Sequence, residues 1–176
     1  MGLDLVIRNG AIVDGSGSPR FMADIGIQNG WIVELGHIRS KARQTVDAEG
    51  QIVAPGFIDG HTHMDAQISW DPLGSCSCWH GVTSVVMGNC GFALAPCQPD
   101  QREWIARCLE AVEDIPTESM IAGINWTWES FPEYLDAVGK LPKAINYGAF
   151  LGHSAIRMYI MGDRALYENG SEEDLQ

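Results

Sequence analysis

The stretch Ala54-Pro-Gly-Phe-Ile-Asp-Gly-His61-Thr-His63-Met-Asp65 carries two imidazoles one residue apart, after the apolar run Gln51-Ile-Val-Ala. In an extended chain, residues i and i+2 point to the same face, so His61 and His63 would project side by side. Two imidazoles so placed can grip one metal ion. The same spacing also suits two ordinary hydrogen-bonding groups at a polar strand end. Neighbouring residues have to decide between these readings.

Cys90 is the first such neighbour. It stands in Met87-Gly-Asn-Cys90-Gly91-Phe, just past Gly81-Val-Thr-Ser-Val-Val-Met87, a β-branched run that reads as a strand. The flanking glycines allow backbone or ligand to come close. If the two strands are neighbours in a parallel sheet, His61, His63 and Cys90 emerge at one edge. Two nitrogens and a thiolate suit zinc and leave a position open for water. The other reading of Cys90 is a structural cysteine in a tight turn.

Leu151-Gly-His153-Ser-Ala-Ile-Arg157 follows a third candidate strand, Ala144-Ile-Asn-Tyr-Gly-Ala-Phe-Leu151, and so falls at the same end. His153 and Arg157 could face a substrate carboxylate there, since guanidinium pairs with it bidentately. A His153 bonded within its own loop is the alternative. Cys76 and Cys78, in Gly-Ser-Cys-Ser-Cys-Trp-His80, have Cys-x-Cys spacing and no second pair after them. They read as loop or helix-start residues, with His80 structural and His37 on the surface. No Gly-x-Gly-x-x-Gly, phosphate-binding loop or Gly-x-Ser-x-Gly is present, so nucleotide binding and serine hydrolysis lack support.

The elements that must position these residues fall into two regions. Residues 1–49 read as β-structure: Leu5 to Val13 and Ile25 to Glu34 each hold two short β-prone runs joined by Asn-Gly, a strong hairpin signal. Asp14-Gly-Ser-Gly-Ser-Pro19 is a loop by composition, and Gln44-Thr-Val-Asp47 is a further short strand. The composition shifts at Glu49-Gly50, where a domain boundary is expected. Residues 50–176 then alternate strand and helix, the signature of βαβ units and a parallel sheet. The run from Ile52 to Ile58 reads as one strand covered on both faces. Asp100 with Glu103 and Ser130 with Glu133 have the spacing of helix capping boxes. Trp104, Ile105, Cys108, Leu109 and Val112 would form the buried face of the first helix. Phe131, Leu135 and Val138 would form that of the second. A third helix would begin at Ser171.

A net charge of −12 argues against nucleic acid or an anionic membrane as partner. Residue 1 onward shows no signal peptide, and no window has the roughly 20 apolar residues of a membrane span. All five cysteines lie between residues 76 and 108. An odd number so clustered fits reduced thiols in the cytoplasm better than a secreted disulfide framework.

These motifs, in this order, resemble the start of the metal-dependent amidohydrolase superfamily. His-Thr-His-Met-Asp, then Gly-Val-Thr-Ser-Val-Val-Met-Gly-Asn-Cys-Gly, then Gly-His-Ser-Ala-Ile-Arg is similar to the D-aminoacylase group, the N-acyl-D-amino-acid deacylases. The resemblance implies an α/β fold: the N-terminal portion of a (β/α)8 barrel preceded by a small β-sandwich half-domain. It implies zinc as cofactor, with His61 and His63 as the His-x-His metal pair and Cys90 as the cysteine ligand. His153 and Arg157 match a shared motif and are carried as substrate-binding residues. An N-acyl amino acid or related amide is the implied substrate, and a homo-oligomer is compatible. The group also uses later histidines and a late aspartate as the proton-transferring group, none of them within these residues. No catalytic base is therefore expected here, and residues 1–176 alone are expected to be inactive. Two alternatives stay open: a cyclic-amide hydrolase of hydantoinase or dihydropyrimidinase type, and a non-catalytic interaction module.

Overall fold

Two Asn-Gly steps of identical sequence fold differently. In the computed structural model, which describes residues 2–176, Asn29 and Gly30 both have positive φ, 51° and 79°. They close a hairpin between β2 (Phe21–Gln28) and β3 (Trp31–Gly36), as a mirror-image turn requires. Asn9 also has positive φ, 56°, yet the chain does not reverse there. It lies inside one continuous strand, β1 (Leu3–Ile12), whose register against β2 slips between Ile7 and Gly10. The expected first hairpin is thus a β-bulge. The Asn9 backbone N–H donates to Asp24 Oδ1 and its side-chain amide to Asp47 Oδ1, each at 3.0 Å. Both neighbouring strands therefore hold the bulge in place.

β4 (Ala42–Asp47) and β5 (Ile52–Val53) run parallel to β1. The strand order is β3-β2-β1-β4, with β5 also on β1. Because β5 pairs with β1, the first compact unit runs to Pro55, past the composition shift at Glu49-Gly50; the second spans Gly56–Gln176.

The apolar run 52–58, expected as one strand, is two. Pro55 has no N–H to offer a ladder. A Cβ on Gly56 would fall 2.0 Å from Thr83 Cγ2, so only glycine lets the chain pass there. Beyond it, β6 (Phe57–Asp59) joins a second sheet with β7 (Val82–Met87) and β8 (Asn146–Ala149), all parallel and in that order. β6 is not covered on both faces: it is an edge strand, and Phe57 and Ile58 are exposed. β7, in the middle, buries Val85 and Met87.

The second unit carries five α-helices among the described residues: α1 (Ser75–Cys78), α2 (Arg102–Glu113), α3 (Thr117–Gly123), α4 (Phe131–Gly139) and α5 (His153–Met161). The Ser130–Glu133 capping box forms at α4, with reciprocal bonds of 3.4 and 2.9 Å. Its buried face keeps Val138, with Phe131 half-buried, but takes Tyr134 in place of Leu135, which is exposed. Ahead of α2 the reciprocal cap is made by Gln98 and Gln101 around a 3-10 turn, not by Asp100 and Glu103. α2 buries Ile105 and Leu109 but exposes Val112. At Ser171 there is one turn rather than a helix, closed by Ser171 and Asp174. No helix among the described residues is long and apolar enough to cross a membrane.

The ends of β7 and β8 meet at Gly88. Phe150 N–H donates to Met87 O at 2.9 Å. A Cβ on Gly88, whose φ is +76°, would fall 2.2 Å from the Phe150 carbonyl oxygen. Gly88→Ala should lower stability by more than about 2 kcal/mol, since a rigid clash adds to left-handed strain. At Gly81 (φ +85°) only the Phe57 ring is near, at 3.5 Å, so Gly81→Ala should cost about 1 kcal/mol. Paired urea titrations read the difference; equal midpoints would contradict the close approach at Gly88.

Candidate metal centre

β6 ends at Asp59 and β7 at Met87, and the chemistry-bearing side chains lie just beyond both ends. His61 and His63 are therefore not in the strand, as the spacing alone suggested, but in the segment that leaves it. What aligns them is Thr62. Its N–H and its hydroxyl both donate to Val86 O, at 3.0 and 3.1 Å. Its carbonyl accepts from Asn89 Nδ2 at 3.1 Å, and the same amide donates to Val86 O at 2.6 Å. Thr62 and Asn89 are both buried. With Thr62 pinned inward, the residues on either side turn the other way. The two rings lie 5.5 Å apart between centroids, tilted by 46°.

Cys90 reaches them through an unusual backbone. Its φ of 57° is left-handed, between Gly88 and Gly91, which are left-handed too. A non-glycine residue there is uncommon and often marks a functional turn. The result places Cys90 Sγ 3.4 Å from His61 Nε2 and 3.6 Å from His63 Nε2. The three donor atoms lie within 4.8 Å of one another, and among the described residues this is the one cluster of at least three such side chains. Tetrahedral zinc, with Zn–N near 2.0–2.1 Å and Zn–S near 2.3 Å, would hold its nitrogen and sulfur ligands roughly 3.5 Å apart. The spacing and the mixed N/N/S donor set fit such an ion. His61 and Cys90 are exposed and His63 half-buried, so the cluster opens to solvent.

Two carboxyls lie beneath the cluster. Asp65 is buried; its Oδ2 accepts the Gly88 N–H at 3.1 Å, while Oδ1 has no partner. Burial pushes its pKa up to about 6. Glu113, the last residue of α2, has no hydrogen-bond partner at either oxygen. Burial, with the Asp65 charge as a second cause, pushes its pKa up to about 7. Glu113 Oε1 lies 3.7 Å from His63 Nδ1.

Sequence reasoning passed over both acids. Glu113 had a signal: it follows Ile105 and Leu109 at helical spacing, so it continues the buried stripe that Val112 was expected to extend. Asp65 had none, because Met64, Asp65 and Ala66 are all buried and no periodicity distinguishes them.

The remaining candidates lie outside the three-donor cluster. His153 opens α5 and is exposed, its Cβ 3.8 Å from where a Cβ on Gly91 would stand. Arg157 donates from Nε to Ala165 O at 2.9 Å and from Nη2 to Glu168 O. Its guanidinium thus fastens the segment after α5. Cys76 and Cys78 lie in α1; Cys76 Sγ accepts from Gln67 Nε2 at 3.3 Å, and Cys78 Sγ donates to Ser75 O at 3.8 Å. His37 and His80 are exposed.

The family model described as "Amidohydrolase family" matches residues 44–175. The chain is 36% identical to D-aminoacylase of Alcaligenes xylosoxydans xylosoxydans over 161 residues, 91% of this chain and 31% of that protein. It is also 36% identical to N-acyl-D-glutamate deacylase of the same organism over 172 residues, 97% of this chain and 33% of that one. Among solved structures it is similar to N-acyl-D-glutamate deacylase from Bordetella bronchiseptica, complexed with zinc and a phosphonate mimic of the tetrahedral intermediate. That match has a TM-score of 0.81 and 32% identity, covering 99% of this chain and 34% of the other. The chain spans about a third of the length of the relatives it matches.

Two outcomes are expected from this geometry. Asn89→Asp turns a double donor into an acceptor facing two carbonyl oxygens and should cost about 2 kcal/mol or more; an unchanged urea midpoint would show that Asn89 does not clamp Thr62. The second concerns pH. Asp65 and Glu113 both have folded pKa values raised above those of free carboxyls. The folded state thus binds more protons than the unfolded state between about pH 4 and about pH 7. Stability of the metal-free protein should fall as pH rises through that window and level off above it. Asp65→Asn combined with Glu113→Gln should flatten the fall, and an equally steep one in the double variant would refute the assignment.

Proposed function

Since this chain belongs to the amidohydrolase family, we propose that it supplies the metal-holding front part of a zinc hydrolase that cleaves the acyl C–N bond of an N-acyl-D-amino acid. Its fold is α/β, the N-terminal portion of an amidohydrolase-type barrel preceded by a small β half-domain. The observation that carries the proposal is the meeting of His61 Nε2, His63 Nε2 and Cys90 Sγ beyond the ends of two adjacent parallel strands. Support comes from relatives named as D-aminoacylase and N-acyl-D-glutamate deacylase, and from the zinc in a similar structure.

His61, His63 and Cys90 would hold the ion, which when bound supplies Lewis acidity to a substrate carbonyl and to water. The chain's own residues set the conditions. A Cys90 thiolate brings one negative charge, so a divalent ion held by these three keeps net positive charge. The exposed side of His61 and Cys90 leaves room for a substrate to approach. The Thr62–Val86–Asn89 bonds fix the imidazoles before any ligand arrives, which lowers the cost of ordering them. Glu113 and Asp65 lie on the buried side, against His63 Nδ1 and Gly88 N, and so are not placed to exchange protons with a substrate on the open side. Free thiols at all five cysteines suit a reducing compartment, and we assign the protein to the cytoplasm on that ground.

The test uses the full-length protein with N-acetyl-D-amino acids, their L-enantiomers and a cyclic ureide as substrates. Cys90→Ser and His61→Ala should each lose most of the bound zinc and lower D-amino acid release at least on the order of 100-fold. Zinc content equal to that of the parent in both variants removes the donor assignment. Turnover of the cyclic ureide alone removes the substrate class and leaves the donors standing.

A further inference from the structure

Glu113 stands where a carboxylate is disfavoured on three counts. It closes α2, so it sits at the negative end of the helix dipole. Its side chain is only 4% exposed, and neither oxygen has a hydrogen-bond partner. The Asp65 carboxyl, which acts on it, has the same sign of charge. A helix that needed only to pack would carry an apolar residue at this point on its buried stripe, as it does at Ile105 and Leu109.

The polar group that faces Glu113 is one edge of His63. Nδ1 of that ring lies 3.7 Å from Glu113 Oε1, and Nε2 lies 3.6 Å from Cys90 Sγ. The imidazole is bracketed between a carboxylate on one side and the donor cluster on the other. We propose that Glu113 is a positioning residue: it accepts the Nδ1–H of His63, selects the tautomer with a bare Nε2, and keeps that lone pair aimed at the ion.

A neutral imidazole carries one hydrogen, and a carboxylate beside Nδ1 favours its being there. The contact is longer than a full hydrogen bond. A cation held by Nε2 would make Nδ1–H a stronger donor and so favour a shorter contact. Asp65 does not compete for the role: its Oδ2 is tied to Gly88 N–H. Among the described residues no carboxylate lies within ion-pair distance of His61, so the device acts on one member of the pair. The inference rests on reading His61, His63 and Cys90 as the metal donors, and the experiment separates the two.

The full-length protein is stripped of metal and titrated with zinc against a chromophoric chelator, as parent, Glu113→Ala, Glu113→Gln and His63→Ala. Nitrogen-15 NMR of the histidine side chains is recorded in the metal-free state. Glu113→Ala should weaken zinc binding on the order of 10- to 100-fold, and Glu113→Gln, which keeps an acceptor oxygen, by less. His63 should be the Nδ1–H tautomer in the parent and should lose that preference in Glu113→Ala. Metal-free melting temperature should stay level or rise in both variants, because a buried unpaired acid is removed; a purely structural role would lower it. Zinc affinity within about two-fold of the parent in both Glu113 variants, or an Nε2–H tautomer in the parent, overturns the proposal. Should Glu113→Ala not fold, Glu113→Gln and the parent's tautomer still decide. If His63→Ala keeps the parent's zinc affinity, the donor assignment has failed, and the tautomer measurement judges Glu113 separately.

Discussion

The cross-strand clamp on Thr62 is the constraint from which the rest of the site follows. Three hydrogen bonds tie one residue after β6 to Val86 and Asn89 at the end of β7. They extend the pairing of the parallel strands past the point where regular structure stops, so the departing chain stays extended for one more step. Alternation then does the aiming: one buried threonine sends two histidines to the other side. Asn89, one residue from Cys90, is part of the same clamp. The three donors are thus set by one hydrogen-bonded knot rather than by three separate loops.

That knot explains what could be read from residues alone and what could not. The His-x-His spacing, the β-branched run of β7 and the cysteine after it are local patterns, and their meeting needs only that neighbouring strands be parallel. The Ser130–Glu133 box and the Asn29-Gly30 hairpin are local for the same reason: each is satisfied by atoms within a few residues. The failures are tertiary. Asn9-Gly10 has the backbone preference of a turn, but Asp24 and Asp47 on flanking strands capture it as a bulge. Residues 52–58 form an apolar run that Pro55 interrupts, and the close approach of Gly56 to Thr83 shows why the chain passes there from one sheet to the other. The contacts of Arg157 with carbonyls eight and eleven residues on are likewise unmarked by any local pattern.

Burial at the site runs in opposite directions for its two layers. The donors lie open or half-open, while the layer beneath them is closed and holds two acids where apolar groups would pack. On the proposed reading of the donors as metal ligands, a closed layer of acid would raise the energy of the metal-free state relative to one with positive charge above it. Desolvation therefore works with the donor set: the same burial that makes Asp65 and Glu113 reluctant to ionise makes a nearby cation more effective in pairing with them.

The second unit holds four histidines and all five cysteines, and composition does not separate a ligand from a bystander. Strain and unmet polarity set one group apart. Cys76 and Cys78 sit in a short helix with ordinary partners, and His80 lies exposed in a turn. Around His61, His63 and Cys90, by contrast, several departures from ordinary packing coincide: a left-handed cysteine, a glycine pressed against the Phe150 carbonyl, and two buried carboxyls with three unpartnered oxygens. The left-handed cysteine and the unpartnered acids raise the energy of the fold, and neither is needed to build three parallel strands. Sequences keep such features where they position a reacting group and lose them elsewhere. Their clustering within reach of three convergent donors distinguishes this rim from the other histidines and thiols of the chain.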